Sequence, residues 1–253
     1  MTSDRVHERW AERSGEFSPE YYAYYGPDER SELVRGALDR WVDPDDPVLE
    51  LGCSSGRHLA HLREGGYGDL HGVDVNPESF AVMRESYPEL AEAGTFHAAS
   101  IESVIEEYDD DAFAAVYSVQ TLQHVPPENE RTFDELARVA RDLLVTVEVE
   151  GDRSGDEGIG SGTERDDGTA DRGDSRPGSS DPSSTSPSTA ESASPGGSEV
   201  DSAGSARDVN YVTEGIPLYY RDWRAVFEGR GFEQVASEPV AADTFRAFRP
   251  ASP

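Results

Sequence analysis

Residues 52–56, Gly-Cys-Ser-Ser-Gly, form a tight turn between the apolar run 47–51 and a segment whose leucines return at helical spacing. Glycine at both ends lets the backbone bend sharply and approach a bound molecule. Asp74 closes the next apolar run, LHGVDV, 22 positions after Gly52. A carboxylate at that place accepts hydrogen bonds from both hydroxyls of an adenosine ribose. The dinucleotide fingerprint G-x-G-x-x-G is missing, since the turn reads G-C-S-S-G. A phosphate loop would end in Gly-Lys, and all 22 basic residues here are arginine. The two features together point to an adenosine-type ligand without a diphosphate.

Such a turn needs a strand before it and a helix after it, and the rest of the chain keeps that alternation. Helical spacing predicts helices over 29–41, 55–64, 77–87 (Pro77 at its start), 127–141 (opened by Pro127) and 220–231. Short apolar runs predict strands over 47–51, 70–75, 95–99, 112–119 and 142–149, with a closing pair over 232–237 and 243–248. Alternation at this pitch implies a parallel sheet covered on both faces. Ligands on such sheets bind outside the carboxyl ends of the strands, at the switch in strand order.

Bulk properties narrow the function classes. The formal charge is −30 and there is no lysine. A surface of this kind suits molar salt, where a Debye length of about 3 Å screens self-repulsion, and predicts a halophile protein. It lacks the basic footprint of a nucleic-acid partner. Cys53 is the single cysteine, so an internal disulfide and a cysteine metal cage are both excluded; no metal site is expected. No apolar run reaches the roughly 18–20 residues of a membrane helix, and the charged start MTSDRVHERW predicts a cytoplasmic protein. Residues 151–208 are Ser, Gly, Asp, Glu and Pro with almost no large apolar side chain, which predicts a disordered acidic insert. The chain then divides into an N-terminal helical segment, 1–28; one domain over 29–150 with 209–253; and the insert between.

Taken together, PVLELGCSSGRHLAHL, GVDVNPES and AFAAVYSVQTLQHVPPE resemble the first, second and fourth motifs of class I S-adenosylmethionine-dependent methyltransferases. GTFHAASIESV stands where the third belongs, and GRGFEQV resembles the turn before their final hairpin. The likeness covers about residues 30–150 and 209–248. It implies a Rossmann-like α/β three-layer sandwich with a mainly parallel seven-stranded sheet and a C-terminal antiparallel hairpin. It also implies S-adenosylmethionine as cofactor and a small-molecule methyl acceptor. By the same resemblance Gly52, Cys53, Ser54 and Gly56 line the methionine part of the cofactor, and Glu50 receives its ammonium. Arg57 reaches the cofactor carboxylate or packs at the helix start. Asp74 holds the ribose, with Val75 and Asn76 beside the adenine. Ser100 and Ile101 meet its edge and face. Ser118, Val119 and Gln120 form the wall below the sulfonium. Two positions depart from the family pattern: Ser100 stands where Asp is frequent, and Ala114 follows Phe113 where Asp is frequent.

If the acceptor is a hydroxyl or an acid, a base must take its proton, and a neutral imidazole suits that task. His124 follows the fourth strand and so falls near the reacting centre; the alternatives are a packed loop histidine and a substrate-positioning one. The resemblance implies that residues 1–28 form a helical lid segment, where the cluster SPEYYAYYGPDE supplies Tyr22 and Tyr25, either over the cofactor or as packing against the sheet. The resemblance also implies that Tyr219, Tyr220 and Arg221 close the acceptor pocket, with Arg221 on an anionic group or in a surface ion pair. Glu148 orients the acceptor or stands as a solvated strand-end acid. A cofactor-binding module without catalysis and a nicotinamide oxidoreductase are the competing classes; the absent third glycine weighs against the latter.

Overall fold

The computed structural model describes residues 2–150, 208–212 and 215–252. The acidic stretch expected to be disordered lies outside the described residues, apart from Asp208. Elements run in the order α1 (Ser3–Ala11), α2 (Pro19–Tyr25), α3 (Glu29–Trp41), β1 (Val48–Leu51), α4 (Arg57–Glu64), β2 (Leu70–Asp74), α5 (Glu78–Ser86), α6 (Pro88–Ala93), β3 (Thr95–Ala98) and α7 (Ile101–Ile105). Then come β4 (Phe113–Val119), two 3-10 turns (Leu122–His124 and Pro127–Asn129), α8 (Arg131–Val139), β5 (Ala140–Glu148), β6 (Asp208–Val212), β7 (Ile216–Tyr220), α9 (Trp223–Glu228), β8 (Phe232–Val240) and β9 (Asp243–Pro250).

Seven strands form one sheet in the order β3-β2-β1-β4-β5-β9-β8. β9 pairs antiparallel with both β5 and β8, while the other neighbours are parallel, so β9 alone runs against the rest. This is the expected α/β sandwich with its closing hairpin. Alternate strand residues feed opposite faces, because successive side chains of a strand point to opposite sides. Val48, Leu143 and Val145 pack with Leu38 of α3, Leu59 of α4 and Met83 of α5. Leu49, Leu51 and Leu144 pack with Val104 of α7, Leu136 of α8 and Phe227 of α9. Strands buried on both faces read as continuous apolar runs, and that is why β1, β4 and β5 were legible.

The boundaries differ from the sequence expectation in several places, most around Pro127 and before α9. Pro127 opens a single 3-10 turn, and α8 starts four residues later. The predicted helix 220–231 shrinks to Trp223–Glu228, started by the Asp222 side chain accepting from Ala225 N at 3.0 Å. The residues before it form β7, which pairs antiparallel with β6 in a separate two-stranded ribbon. Pro217 hides that strand in the sequence, because proline donates no ladder hydrogen bond and is confined to edges.

Candidate active site

Strand order reverses between β1 and β4, so the crevice outside their carboxyl ends is the predicted ligand position. An open cavity lies there, with about 140 Å³ of room for water-sized groups. The glycine turn forms one wall. Gly52 N and Cys53 N both donate to Val73 O, at 2.8 and 3.0 Å, tying the turn to β2. Gly52 has φ +67°, and a Cβ there would stand 2.2 Å from Thr121 Oγ1. Gly56 has φ +81°, and its Cβ would fall 2.8 Å from Met83 Cε. Gly52→Ala therefore combines left-handed strain of about 1–3 kcal/mol with an overlap that displaces Thr121. The expected result is a melting temperature lower by roughly 5 °C or more in a thermal scan.

Asp74 joins the turn to the second strand. Its Oδ2 accepts from Ser54 N at 2.8 Å, and its Oδ1 accepts from Asn76 N at 2.8 Å and Ser79 Oγ at 3.2 Å. Burial raises its pKa, and these three hydrogen bonds work against that rise. A carboxylate has about four lone-pair sites, so roughly one remains for a ligand hydroxyl rather than the two expected. Ser54 and Gln120 are non-glycine residues with φ of 47° and 54°, and both border the cavity. Left-handed strain of this kind concentrates at ligand-binding sites.

The cavity brings together most residues singled out for the cofactor. Gly52, Cys53, Ser54, Arg57, Asp74, Val75 and Asn76 border it, as do Ser100, Ile101, Val119 and Gln120. Ser100 turns its hydroxyl to its own helix, accepting from Ser103 N at 3.3 Å and donating to Ser103 Oγ. Arg57 Nη1 donates to Gly26 O at 3.2 Å and sits 3.3 Å from Asp28 Oδ2, with the guanidinium over the Tyr22 ring. Gln120 Nε2 donates to Asp243 Oδ2 at 3.0 Å.

Other expected residues stand elsewhere. Gly56 lies behind the turn, against Met83 and Leu90, as the left-handed N-cap of α4. Glu50 is fully enclosed, its Oε2 accepting from Tyr117 O–H at 3.0 Å, and burial holds its pKa well above the usual carboxylate range. Ser118 is buried and donates to Glu148. Glu148, expected at the crevice or in solvent, is fully buried. Besides Ser118 it accepts from the backbone N–H groups of Thr121, Leu122 and Gln123. Burial pushes its pKa up to about 7.

Tyr22 borders the cavity, whereas Tyr25 is 62% exposed beside the left-handed Gly26 that ends α2. Tyr219 and Tyr220 belong to the β6–β7 ribbon. Arg221 is not in a surface pair. It is fully buried beneath the rings of Phe133, Tyr219 and Trp223, donating from Nη2 to Val125 O at 2.6 Å.

His124 borders the cavity at 8% exposure. Its Nδ1 lies 2.8 Å from Pro217 O, a carbonyl that can only accept, so Nδ1 carries the proton and Nε2 keeps a lone pair. Burial lowers its pKa to about 4, so the ring is neutral near pH 7.

Sequence reasoning expected residues 1–28 to be a helical lid but named none of the residues of α1 or of the link after it. Val6, His7, Trp10, Arg13 and Phe17 all border the cavity, and Trp10 meets the His124 ring at 5.0 Å. His58 also borders it, buried, with Nδ1 2.7 Å from Ser31 Oγ. α1 is held down by a latch. His7 Nε2 stands 3.4 Å from Glu102 Oε2, and Asn129 Nδ2 donates to Ser3 Oγ and Glu102 Oε1 at 2.9 and 2.7 Å.

Hydrogen bonding to Glu102 raises the His7 pKa, helped by Asp4 on its own helix; His7 in turn helps hold Glu102 down to about 2. A raised histidine contributes below its ordinary value of 6.5 and loses its contribution as pH rises through the raised one. A depressed carboxylate contributes above its ordinary value of 4.5 and loses it as pH falls towards about 2. The latch is therefore fully formed from pH 4.5 to pH 6.5. Raising the pH above that window should loosen α1 and red-shift Trp10 emission, and Glu102→Gln should remove the dependence.

The family model described as a methyltransferase domain matches residues 48–142. No curated protein matches the chain. Among solved structures, magnesium protoporphyrin IX methyltransferase from Synechocystis PCC 6803 with bound SAM aligns with 99% of this chain and 92% of its own. It shares 12% identity at TM-score 0.53. A chain from the Haloferax volcanii complex of a methyltransferase with the Trm112 methyltransferase activator aligns over 87% of this chain and 89% of its own. It shares 14% identity at TM-score 0.53. At these identities the likeness speaks to the fold.

Proposed function

We propose that this chain, a member of the class I S-adenosylmethionine-dependent methyltransferase superfamily, transfers a methyl group from S-adenosylmethionine to a small-molecule acceptor. One observation carries the reading: the Ser54 N–H bond to Asp74 joins the glycine turn and the ribose-type carboxylate on one cavity at the strand switch point. The walls suit the cofactor. The turn admits no Cβ at Gly52, Asp74 keeps acceptor capacity, and Val75, Ala99 and Ile101 offer apolar contact for an adenine. S-adenosylmethionine, when bound, supplies a methyl group on a sulfonium that is already electrophilic.

The chain's own task is then to bind, align and exclude water. Asp74 accepts from a ribose hydroxyl. Trp10, Val6 and Phe17 roof the cavity and limit water. His124 Nε2 accepts the proton that an O–H acceptor must release. The acidic, lysine-free composition supports a small molecule over a phosphate backbone and sets molar KCl as the working medium. Among the described residues, no helix is long and apolar enough to cross a membrane.

Incubation with S-adenosylmethionine and pooled cell metabolites should release S-adenosylhomocysteine above the no-acceptor rate. Tight binding without release would favour a cofactor-binding module instead.

A further inference from the structure

Resting on that reading, we infer that Gln120 Oε1 receives the ammonium group of the bound cofactor, and that Asp243 and Arg30 are the positioning residues that leave that oxygen free to do so. Glu50, expected to take the ammonium, is 1% exposed, and its Oε2 already accepts from Tyr117 O–H. The ammonium therefore needs another acceptor.

Strand order gives the direction in which the ligand lies. β2, β1 and β4 are neighbours in the sheet, about 4.8 Å apart in turn. Asp74 ends β2, the glycine turn follows β1, and Gln120 follows β4. The apolar contacts for an adenine, Val75, Ala99 and Ile101, follow β2 and β3, on the other side of Asp74. A nucleoside with its base there and its ribose on Asp74 sends its amino-acid half over the β1 turn towards β4. The segment after β4 lies against that turn, since a Cβ on Gly52 would stand 2.2 Å from Thr121 Oγ1, one residue beyond Gln120. Gln120 itself borders the cavity.

The amide is held one way round. Gln120 Nε2 donates to Asp243 Oδ2 at 3.0 Å, and the same oxygen accepts from Arg30 Nε at 2.9 Å, with Arg30 Nη2 2.8 Å away. Paired to a guanidinium, that carboxylate is ionised and only accepts. The reversed amide would set Oε1 against it, lone pair to lone pair, so Oε1 is the end left for a ligand. Arg30 Nη1 in turn donates to Asp28 Oδ2 at 3.2 Å, and Arg57 Nη1 stands 3.3 Å from that same oxygen. One polar network thus reaches the cavity at both of its ends. It brings a carbonyl oxygen at Gln120 and a guanidinium at Arg57, which suit the ammonium and the carboxylate of an amino acid. The backbone agrees. Gln120 has φ 54°, a conformation that glycine takes without strain. A long polar side chain in that conformation on a ligand cavity marks strain kept for what the side chain does.

The test titrates the full chain at neutral pH in molar KCl with S-adenosylhomocysteine and with its analogue carrying hydrogen in place of the amino group. The wild type should bind S-adenosylhomocysteine about 10-fold or more tightly than the analogue, the worth of one hydrogen bond from a charged donor. Gln120→Gly should weaken S-adenosylhomocysteine by about 10-fold and leave the analogue unchanged. Glycine suits the left-handed backbone, so the melting temperature should change little and the loss of binding is not a loss of fold. Asp243→Asn should give a smaller loss of the same kind, because an amide partner lets Gln120 turn either way. Added to Gln120→Gly, it should cost no further affinity. Equal affinity of the wild type for the two ligands would overturn the inference, as would a Gln120→Gly variant that weakens both alike or neither. If S-adenosylhomocysteine does not bind the wild type at all, the proposed function fails and this inference falls with it.

Discussion

Glu148→Ala should leave the protein largely unfolded or unable to hold its cavity. The carboxylate is fully buried and serves as acceptor for the backbone N–H groups of Thr121, Leu122 and Gln123 and for the Ser118 hydroxyl. Removing it orphans donors in a place water does not reach, at a cost of about 1–3 kcal/mol for each unsatisfied group. Several such groups together rival a net stability of about 5–15 kcal/mol. The same turn carries Thr121 and His124, so what survives should also lose the cavity wall.

Glu148→Gln is the informative companion. It keeps one carbonyl oxygen in reach of Thr121 and Leu122 and should fold. Wild-type Glu148 has a pKa raised from 4.5 to about 7, so the native state binds this proton more tightly than the unfolded chain. Stability from this group is present below pH 4.5 and is lost as pH rises through about 7. Denaturation midpoints measured from pH 4.5 to pH 7.5 should fall in the wild type by a component that Glu148→Gln lacks.

Asp74→Ala should weaken S-adenosylmethionine binding by about 10- to 150-fold, the loss of one charge-assisted hydrogen bond worth about 1.5–3 kcal/mol. The effect is compounded because Ser54 and Asn76 lose the acceptor that sets the turn. Asp74→Asn should be nearly as damaging. Both of its oxygens now face backbone donors, and an amide would set its NH₂ against one of them. Calorimetric dissociation constants for the two variants, with melting temperatures as a folding control, read this out.

The glycine turn, the strand-end acid Asp74 and the strand–helix alternation were legible because each is local. An apolar run, a positive-φ turn and a strand-end acid all leave their mark within a few residues. What escaped the sequence depends on contacts between distant segments. Val6 is the one buried residue of α1, too little apolar surface to single out which residues of the expected lid segment line the cavity. Tyr22 and Tyr25 look equivalent three residues apart, yet the helix ends at Tyr25 and leaves it in solvent. Glu148 reads as a strand-end acid until the turn after β4 folds back over it. Arg221 reads as a surface cation until three rings enclose it. His124 was placed at the crevice by topology, but its tautomer depends on Pro217, 93 residues away.

Calorimetric titration of the full chain with S-adenosylmethionine and, in parallel, with NAD in molar KCl bears most directly on what the cavity holds. S-adenosylmethionine should saturate a single site per chain while NAD gives no heat of binding. Saturation by NAD, or silence with S-adenosylmethionine, would contradict the assignment of the turn and Asp74 to a sulfonium nucleoside.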